Sequence, residues 1–409
     1  MKTLIRSLTL LAFLASTAAA RAEDEVVHWN RVATEQAAAS QTDPITESRV
    51  FAMLHVAMYD AVNAADPRDT SYLERRPSAP GASAPAAAAA AAHDVLVQTL
   101  PTLSAAFDRE LESSLQALPQ GKATDDGVAL GRAVARVVLA ARKSDGADHK
   151  MSSAAGTKPG AYRPTPPDLT PAFMAQWGSV KPFALRSPAQ FRPGPPPAVD
   201  SDQARRDVEV VRAVGAKDGS TRVDEQSEVA RYWYENSTQG WNRITREVAG
   251  TRGLDLHDDA RLFALVNMAM ADGYISVFDA KYHYLYWRPV TAIREAGGSD
   301  WLSYLGTPPI PDYPSGHTVA GAAVATVLAR FFGSDYVAFQ MVSGAPYPGI
   351  TRRFWSFSQA ARENGASRVF AGIHFPTAVD QGYVEGESVG NWVFEHGLKP
   401  SGPVAISSR

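Results

Sequence analysis

Three short segments in the last third of the chain could do chemistry together: Lys281-x6-Arg288-Pro289, then Pro314-Ser315-Gly316-His317, then Ser367-Arg368-x5-His374. A tetrahedral oxyanion such as phosphate or vanadate needs fixed cations and backbone N–H donors rather than one mobile charge. Lys281, Arg288 and Arg368 supply the cations. Lys281 and Arg288 lie seven residues apart, so on one helix they would share a face two turns apart, with Pro289 disturbing that helix. The small apolar run from Thr318 to Phe332 reads as a buried helix. Its start would leave the N–H groups of Ser315, Gly316 and His317 free near the positive end, where an anion belongs.

His317 and His374 are then the reactive pair. One neutral imidazole can attack a phosphorus or ligate a vanadium. The other, with a reference pKa of about 6.5, can pass protons to and from bound oxygens. Each piece alone is weak, because a lone histidine is more often a core or surface residue. The signal is the set, in this order and spacing.

These segments resemble the signature shared by vanadium-dependent haloperoxidases and the type 2 phosphatidic acid phosphatase superfamily. The likeness extends to Trp241-Asn242-Arg243, Ala260 through Asn267, Asp279-Ala280-Lys281-Tyr282-His283, Tyr286-Trp287-Arg288-Pro289-Val290-Thr291-Ala292-Ile293-Arg294, Thr307-Pro308-Pro309 and Ala371-Gly372-Ile373-His374-Phe375. That phrasing is similar to bacterial vanadium haloperoxidase homologues.

The resemblance implies that His374 is the vanadium ligand, or in a phosphatase the nucleophile, and that His317 is the acid–base residue. Lys281, Arg288, Ser315, Gly316 and Arg368 would hold the oxyanion, and Lys281 would also polarise bound peroxide. The implied cofactor is vanadate, acting as a Lewis acid, and the implied partners are hydrogen peroxide, a halide and a small organic acceptor. The runner-up activity is phosphomonoester hydrolysis through a phosphohistidine on the same residues. A non-catalytic scaffold is set aside because no oxyanion residue is missing. The family pattern often places an acid four residues past the final histidine, and here that position is Ala378. Asp380 has two readings, an orienting partner for His374 or a helix-start capping pair with Thr377. Related haloperoxidases commonly carry an aromatic residue or His seven residues before the acid–base histidine. Here Ile310 stands there, which implies bromide and iodide turnover rather than chloride. Phe278, three residues before Lys281, reads equally as part of that wall and as core.

The elements that must position these residues are helical. Thr46 to Ala64 places Val50, Met53, Leu54, Met58 and Val62 at helical spacing with Thr46 as its cap, and Ala86 to Leu100, Asp126 to Lys143 and Ser201 to Val214 repeat the style. Alternating runs of β-branched residues are missing. The fold class is therefore all-α, and the resemblance specifies a helical bundle of the haloperoxidase and acid phosphatase type with long Pro-rich loops. A leader spans 1–22, an N-terminal helical part 23–157, a Pro-rich connection 158–200, and the site-bearing helical part 201–400. The connection carries Tyr162, Phe173, Trp177, Phe183 and Phe191, too aromatic for a free linker, and should pack across the helical body in one continuous domain.

Other polar residues take plain readings. His55 and Asp60 sit on an apolar helix and read as structural. His257-Asp258-Asp259 begins a helix, where acids favour the positive end. His283, two residues past Lys281, would on a helix point away from the Lys281 and Arg288 face, with a place lining the entrance as the alternative reading. Trp233, Trp241 and Trp287 read as core.

The chain has 409 residues, 45% of them hydrophobic, with net charge −3, so it is not a nucleic-acid binder on that evidence. Cysteine is absent, which excludes disulfides and thiolate metal sites. Lys2 and Arg6, the apolar run Leu8 to Leu14 and Ala20-Arg21-Ala22 form a secretory leader, with cleavage before Glu23 and a periplasmic or secreted destination. No later segment holds 18 uninterrupted apolar residues, so the mature chain should not span a membrane. Composition leaves monomer and homo-oligomer open.

Overall fold

Asp43 starts the first long core helix: its carboxylate accepts from the N–H groups of Ile45 and Thr46 at 3.1 and 2.9 Å, and Pro44 occupies the first helical position. The cap is therefore Asp43 and not Thr46, which lies inside the first turn. In the computed structural model, which describes residues 23–73, 77–153, 155–298 and 300–399, the N-terminal part holds α1 (Glu25–Ser40), α2 (Pro44–Ala65), α3 (Ala84–Thr99), α4 (Ser104–Ala117) and α5 (Lys122–Arg142). The proposed leader lies outside the described residues. The poly-Ala run forms α3. Its methyl groups are completely buried, because only small side chains let α2 and α5 approach so closely.

Beyond the Pro-rich connection come α6 (Asp202–Val214), α7 (Asp224–Tyr232), α8 (Ser237–Arg252), α9 (Leu256–Tyr284), α10 (Pro289–Glu295), α11 (Gly316–Phe332), α12 (Phe357–Phe370) and α13 (Pro376–His396). Among the described residues the fold is all-α apart from one hairpin the sequence did not announce, β1 (Phe339–Val342) paired antiparallel with β2 (Thr351–Phe354). Both strands are short and half exposed, so they lack the alternating pattern that marks a sheet.

Helix α9 is the axis. It packs against α2 on one side and α11 and α13 on the other, and one apolar cluster runs from Val26 to Leu398 through both parts of the chain. Each fully buried Val, Leu, Phe or Met there contributes about 1.5–3 kcal/mol. By length and apolarity α9 could cross a membrane, but 94% of its most apolar window is buried within the protein.

The Pro-rich connection packs across α9 as expected. Buried Asp272 accepts from three consecutive backbone N–H groups, Phe183, Ala184 and Leu185, at 2.6, 2.7 and 2.9 Å. Arg192 forks onto Asp279 at 2.7 and 2.9 Å, and the hydroxyls of Tyr284 and Tyr313 donate to the carbonyls of Pro193 and Gly194. A proline-rich segment cannot build its own ladder of hydrogen bonds, so side chains of the helical body hold it.

The plain readings of the other polar residues agree with the geometry. His55 lies in a buried amide network, 2.7 Å from Asn30, which bonds onward to Asn242 and Asn267. Burial holds its pKa down to about 3. Asp60 accepts from the N–H groups of Tyr72 and Leu73. Helix α9 begins at Leu256 with Asp255 as its cap, so His257 and the two aspartates that follow occupy a helix start. Trp233, Trp241 and Trp287 are buried.

Candidate functional site

Four stretches of chain bring the site together. Lys281 comes from the last turn of α9, fully buried, and donates to the carbonyls of Pro311 and Asp312 at 2.7 and 2.8 Å. Those two bonds leave one of its three N–H donors for a ligand. Arg288 does not continue that helix, contrary to the shared-face reading. Leu285 takes a left-handed conformation at φ 48°, ending α9, and Arg288 is extended as the residue before Pro289, which starts α10. The side chain returns to Lys281 by reversal of the chain rather than by helical periodicity. A strap from the Pro-rich connection fixes that reversal: Tyr162 N–H donates to Leu285 at 2.7 Å and Trp287 N–H to Gly160 at 2.9 Å.

The Arg288 guanidinium is buried and spread over three acceptors. Its Nε donates to the Ile310 carbonyl at 2.7 Å, and its Nη1 to the Ile373 carbonyl at 2.7 Å and to His374 Nε2 at 3.0 Å. Its Nη2 is buried without a partner. Arg368, near the end of α12, donates through Nη1 to the Trp233 carbonyl at 3.1 Å, has its centre 5.4 Å from the Tyr234 ring centroid, and leaves Nε unpartnered.

Ser315 caps α11, and its own N–H is spent on the Ala378 carbonyl at 2.9 Å, so the free donors at this helix start are those of Gly316 and His317. The Thr318 hydroxyl donates to Ser315 Oγ at 2.8 Å, which leaves the serine proton for an anion. Gly316 lies beside the Lys281 side chain, since a Cβ placed on it would stand 3.8 Å from Lys281 Cε. His317 is half-buried with Nε2 unpartnered, next to the Glu235 carbonyl.

The five-residue spacing between Arg368 and His374 has a local cause. Helix α12 ends at Phe370, Gly372 turns left-handed at φ 79°, and the N–H groups of Ile373 and His374 fold back onto the Arg368 carbonyl at 3.1 and 3.3 Å. Arginine and imidazole are thereby held on adjacent turns.

Asp380 is not the partner of His374. It is exposed on α13, whose first residue is Pro376 and whose N-cap is Phe375, so the Thr377–Asp380 capping reading fails as well. The carboxyl group at the histidine belongs instead to Asp312, fully buried, with Oδ1 2.9 Å from His374 Nδ1 and 3.8 Å from Arg288 Nη1. Sequence reading passed over Asp312. Its signal was a lone acid enclosed by Pro311 and Pro314, where local backbone N–H groups are scarce. Ile310 is half-buried and its carbonyl holds Arg288. Phe278 is a core residue, 1% exposed, within the main apolar cluster. His283 is exposed, 3.2 Å from Arg192, and faces away. Tyr162, buried with an unpartnered hydroxyl, is a neighbour of Arg288 that periodicity could not reveal.

Electrostatics follow from burying so many cations together. Burial, with Arg288 alongside, holds the Lys281 ammonium well below its ordinary value, and burial brings Arg368 down to about 10. Burial likewise holds His374, beside Arg288, and His317, beside Arg368, well below the usual imidazole value. Both rings are neutral near pH 7. Burial pushes Asp312 up to about 7, against the pull of Arg288 and Lys281. An oxyanion entering this cluster would find unpartnered donors on Arg288, Arg368, Lys281, Gly316 and Ser315, and a histidine whose Nε2 lies 3.0 Å from Arg288. That set fits vanadate. Among the described residues no group of three or more His, Cys, Asp or Glu could hold a bare metal cation.

The comparisons with known proteins agree with this geometry. Residues 261–401 match the family model of the VCPO second helical-bundle domain. The vanadium chloroperoxidase of Curvularia inaequalis is 28% identical over 258 residues, which span 47% of this chain and 42% of that protein, so the match covers about two fifths of the curated relative's length. A non-specific acid phosphatase of Salmonella typhimurium is 28% identical over 224 residues, 52% of this chain and 78% of the phosphatase. Among solved structures, a bacterial vanadium-dependent iodoperoxidase superposes with TM-score 0.82 at 28% identity, covering 91% of this chain and 96% of its own. A bacterial vanadium-dependent chloroperoxidase superposes with TM-score 0.71 at 21% identity, over 87% and 92% of the two chains, a likeness of fold. The oxyanion cluster, the two histidines and the helical frame thus agree with the second helical-bundle domain matched over residues 261–401, and the chain shares the fold of the bacterial vanadium haloperoxidases.

Proposed function

We propose that the protein is a vanadate-dependent haloperoxidase that converts hydrogen peroxide, a halide ion and a proton into hypohalous acid and water. The observation that favours this over phosphate-ester hydrolysis is the extent of the likeness. The iodoperoxidase structure is matched along nearly its whole length and nine tenths of this chain, whereas the acid phosphatase is matched over about half of this chain.

In this reading Arg288, Arg368 and Lys281 neutralise the bound oxyanion, Ser315 and Gly316 donate hydrogen bonds to it, and His374 ligates through Nε2. When bound, vanadate supplies a Lewis-acidic centre that makes a peroxide oxygen electrophilic without itself changing oxidation state. His317, neutral at the outset, accepts the proton that hydrogen peroxide gives up and returns it to the departing oxygen. Lys281, with one donor to spare, places positive charge where the halide attacks. Ile310, whose carbonyl holds Arg288, has an aliphatic side chain that can offer no hydrogen bond to a reacting oxygen. The harder oxidation then suffers most, so bromide and iodide are the preferred halides. Read as a secretory leader, residues 1–22 support a periplasmic or secreted location.

The test is reconstitution with orthovanadate, followed by parallel assays of halide-dependent monochlorodimedone halogenation and p-nitrophenyl phosphate hydrolysis. Bromide and iodide should support turnover and chloride should not. Comparable chlorination would overturn the halide assignment, and phosphatase activity without any halide oxidation would move the site to the alternative function.

A further inference from the structure

We propose that Asp312 is the positioning residue for His374, fixing the imidazole in the Nδ1–H tautomer so that the Nε2 lone pair faces the oxyanion, a role that rests on the vanadate reading above. Two contacts of the ring bear on where its proton sits. Arg288 Nη1 is 3.0 Å from Nε2 and 3.4 Å from Nδ1, and a guanidinium can only donate, so the shorter contact favours Nε2 as the acceptor. Asp312 Oδ1, a buried oxygen with no hydrogen-bond partner of its own, is 2.9 Å from Nδ1, close enough to take a proton carried there.

The loop holds Asp312 in place for this. Its N–H donates to the Tyr286 carbonyl at 2.9 Å, its own carbonyl accepts from Lys281 at 2.8 Å, and the side chain is fully buried. On α13 Ala378 is apolar and buried, Asp380 is exposed, and the carboxyl group of Glu385 accepts from the Ser276 hydroxyl. A carboxyl group in this place also works against anion binding, because a negative charge 3.8 Å from Arg288 Nη1 weakens the attraction the cations offer. Its place in the site is therefore explained by the histidine and not by the anion. Without that acceptor the proton is free to sit on Nε2, and a protonated nitrogen has no lone pair to offer a metal.

This makes a prediction with two opposite signs. In Asp312→Ala, affinity for orthovanadate should fall about 10–100-fold, the usual effect of removing the partner of a ligating histidine. Inorganic phosphate, held by charge and hydrogen bonds alone, should bind as tightly as before or more tightly. Calorimetric titration of both anions reads this directly. Nitrogen-15 NMR of histidine-labelled, vanadate-free protein should show His374 as Nδ1–H in the wild type. An Nε2–H population should appear in Asp312→Ala, with Asp312→Asn between them because its amide oxygen can still accept. If Asp312→Ala fails to fold, Asp312→Asn carries both readouts. Equal losses for vanadate and phosphate, or a His374 tautomer indifferent to position 312, would overturn the assignment. A wild-type chain that holds no vanadate would overturn the function proposed above, while the tautomer would still decide the role of Asp312.

Discussion

Gly372 and Gly215 meet backbone to backbone: a Cβ built on Gly372 would stand 2.2 Å from the Gly215 carbonyl oxygen, at a residue whose φ is already 79°. This contact packs the turn that carries His374 against the end of α6. Gly372→Ala would meet both a left-handed backbone and a steric collision, so the turn must shift. We expect destabilisation of about 1–3 kcal/mol and weakened anion binding at His374. Chemical denaturation with parallel vanadate titration would measure both, and wild-type values for each would show that the contact is dispensable.

His374→Ala should keep the fold, because the ring's contacts lie within the polar site rather than the main apolar cluster, while stoichiometric retention of vanadate is lost. Gel filtration in phosphate-free buffer followed by vanadium analysis is the check. Retention of one vanadium per chain would remove His374 as the ligand.

Arg288→Lys should fail to substitute for the arginine although it keeps the charge. One ammonium cannot reach the Ile310 carbonyl, the Ile373 carbonyl and His374 Nε2 together, as the planar fork does. Losing one or two charged hydrogen bonds of about 1.5–3 kcal/mol each predicts a loss of at least tenfold in affinity for both vanadate and phosphate. Unchanged affinities would mean that charge alone defines the site.

Stability should fall as pH rises between about 4.5 and 8, and Glu47 is one identifiable cause. Buried on α2 and bonded to Asn236 and Gln239, its carboxyl is pushed up to about 8 from the ordinary 4.5, chiefly by burial. Below 4.5 folded and unfolded chains both carry the proton. Above it the unfolded chain releases the proton while the folded one keeps it, so a stabilising contribution of a few kcal/mol is progressively lost up to pH 8. Glu47→Gln should flatten this part of the profile. Urea midpoints for both proteins across pH 4–9 would test it, and parallel curves would clear Glu47.

Residue types and local spacing determined the oxyanion cluster, the pair of histidines and the helical frame, because each is written over a few neighbouring residues. The apolar period of α2, the small-residue run of α11 and the short loop from Arg368 to His374 all express local geometry. Tertiary structure decided the rest. Helical periodicity assigned Lys281 and Arg288 to one face, but Leu285 reverses the chain between them, and a strap more than 120 residues earlier secures the reversal. The carboxyl group beside His374 comes from Asp312, 62 positions back, while the nearer Asp380 faces solvent. Spacing along a chain reports which residues share a turn. Which carboxyl group meets which ring depends on where buried groups find partners once the helices have packed, and that information is distributed over the whole core.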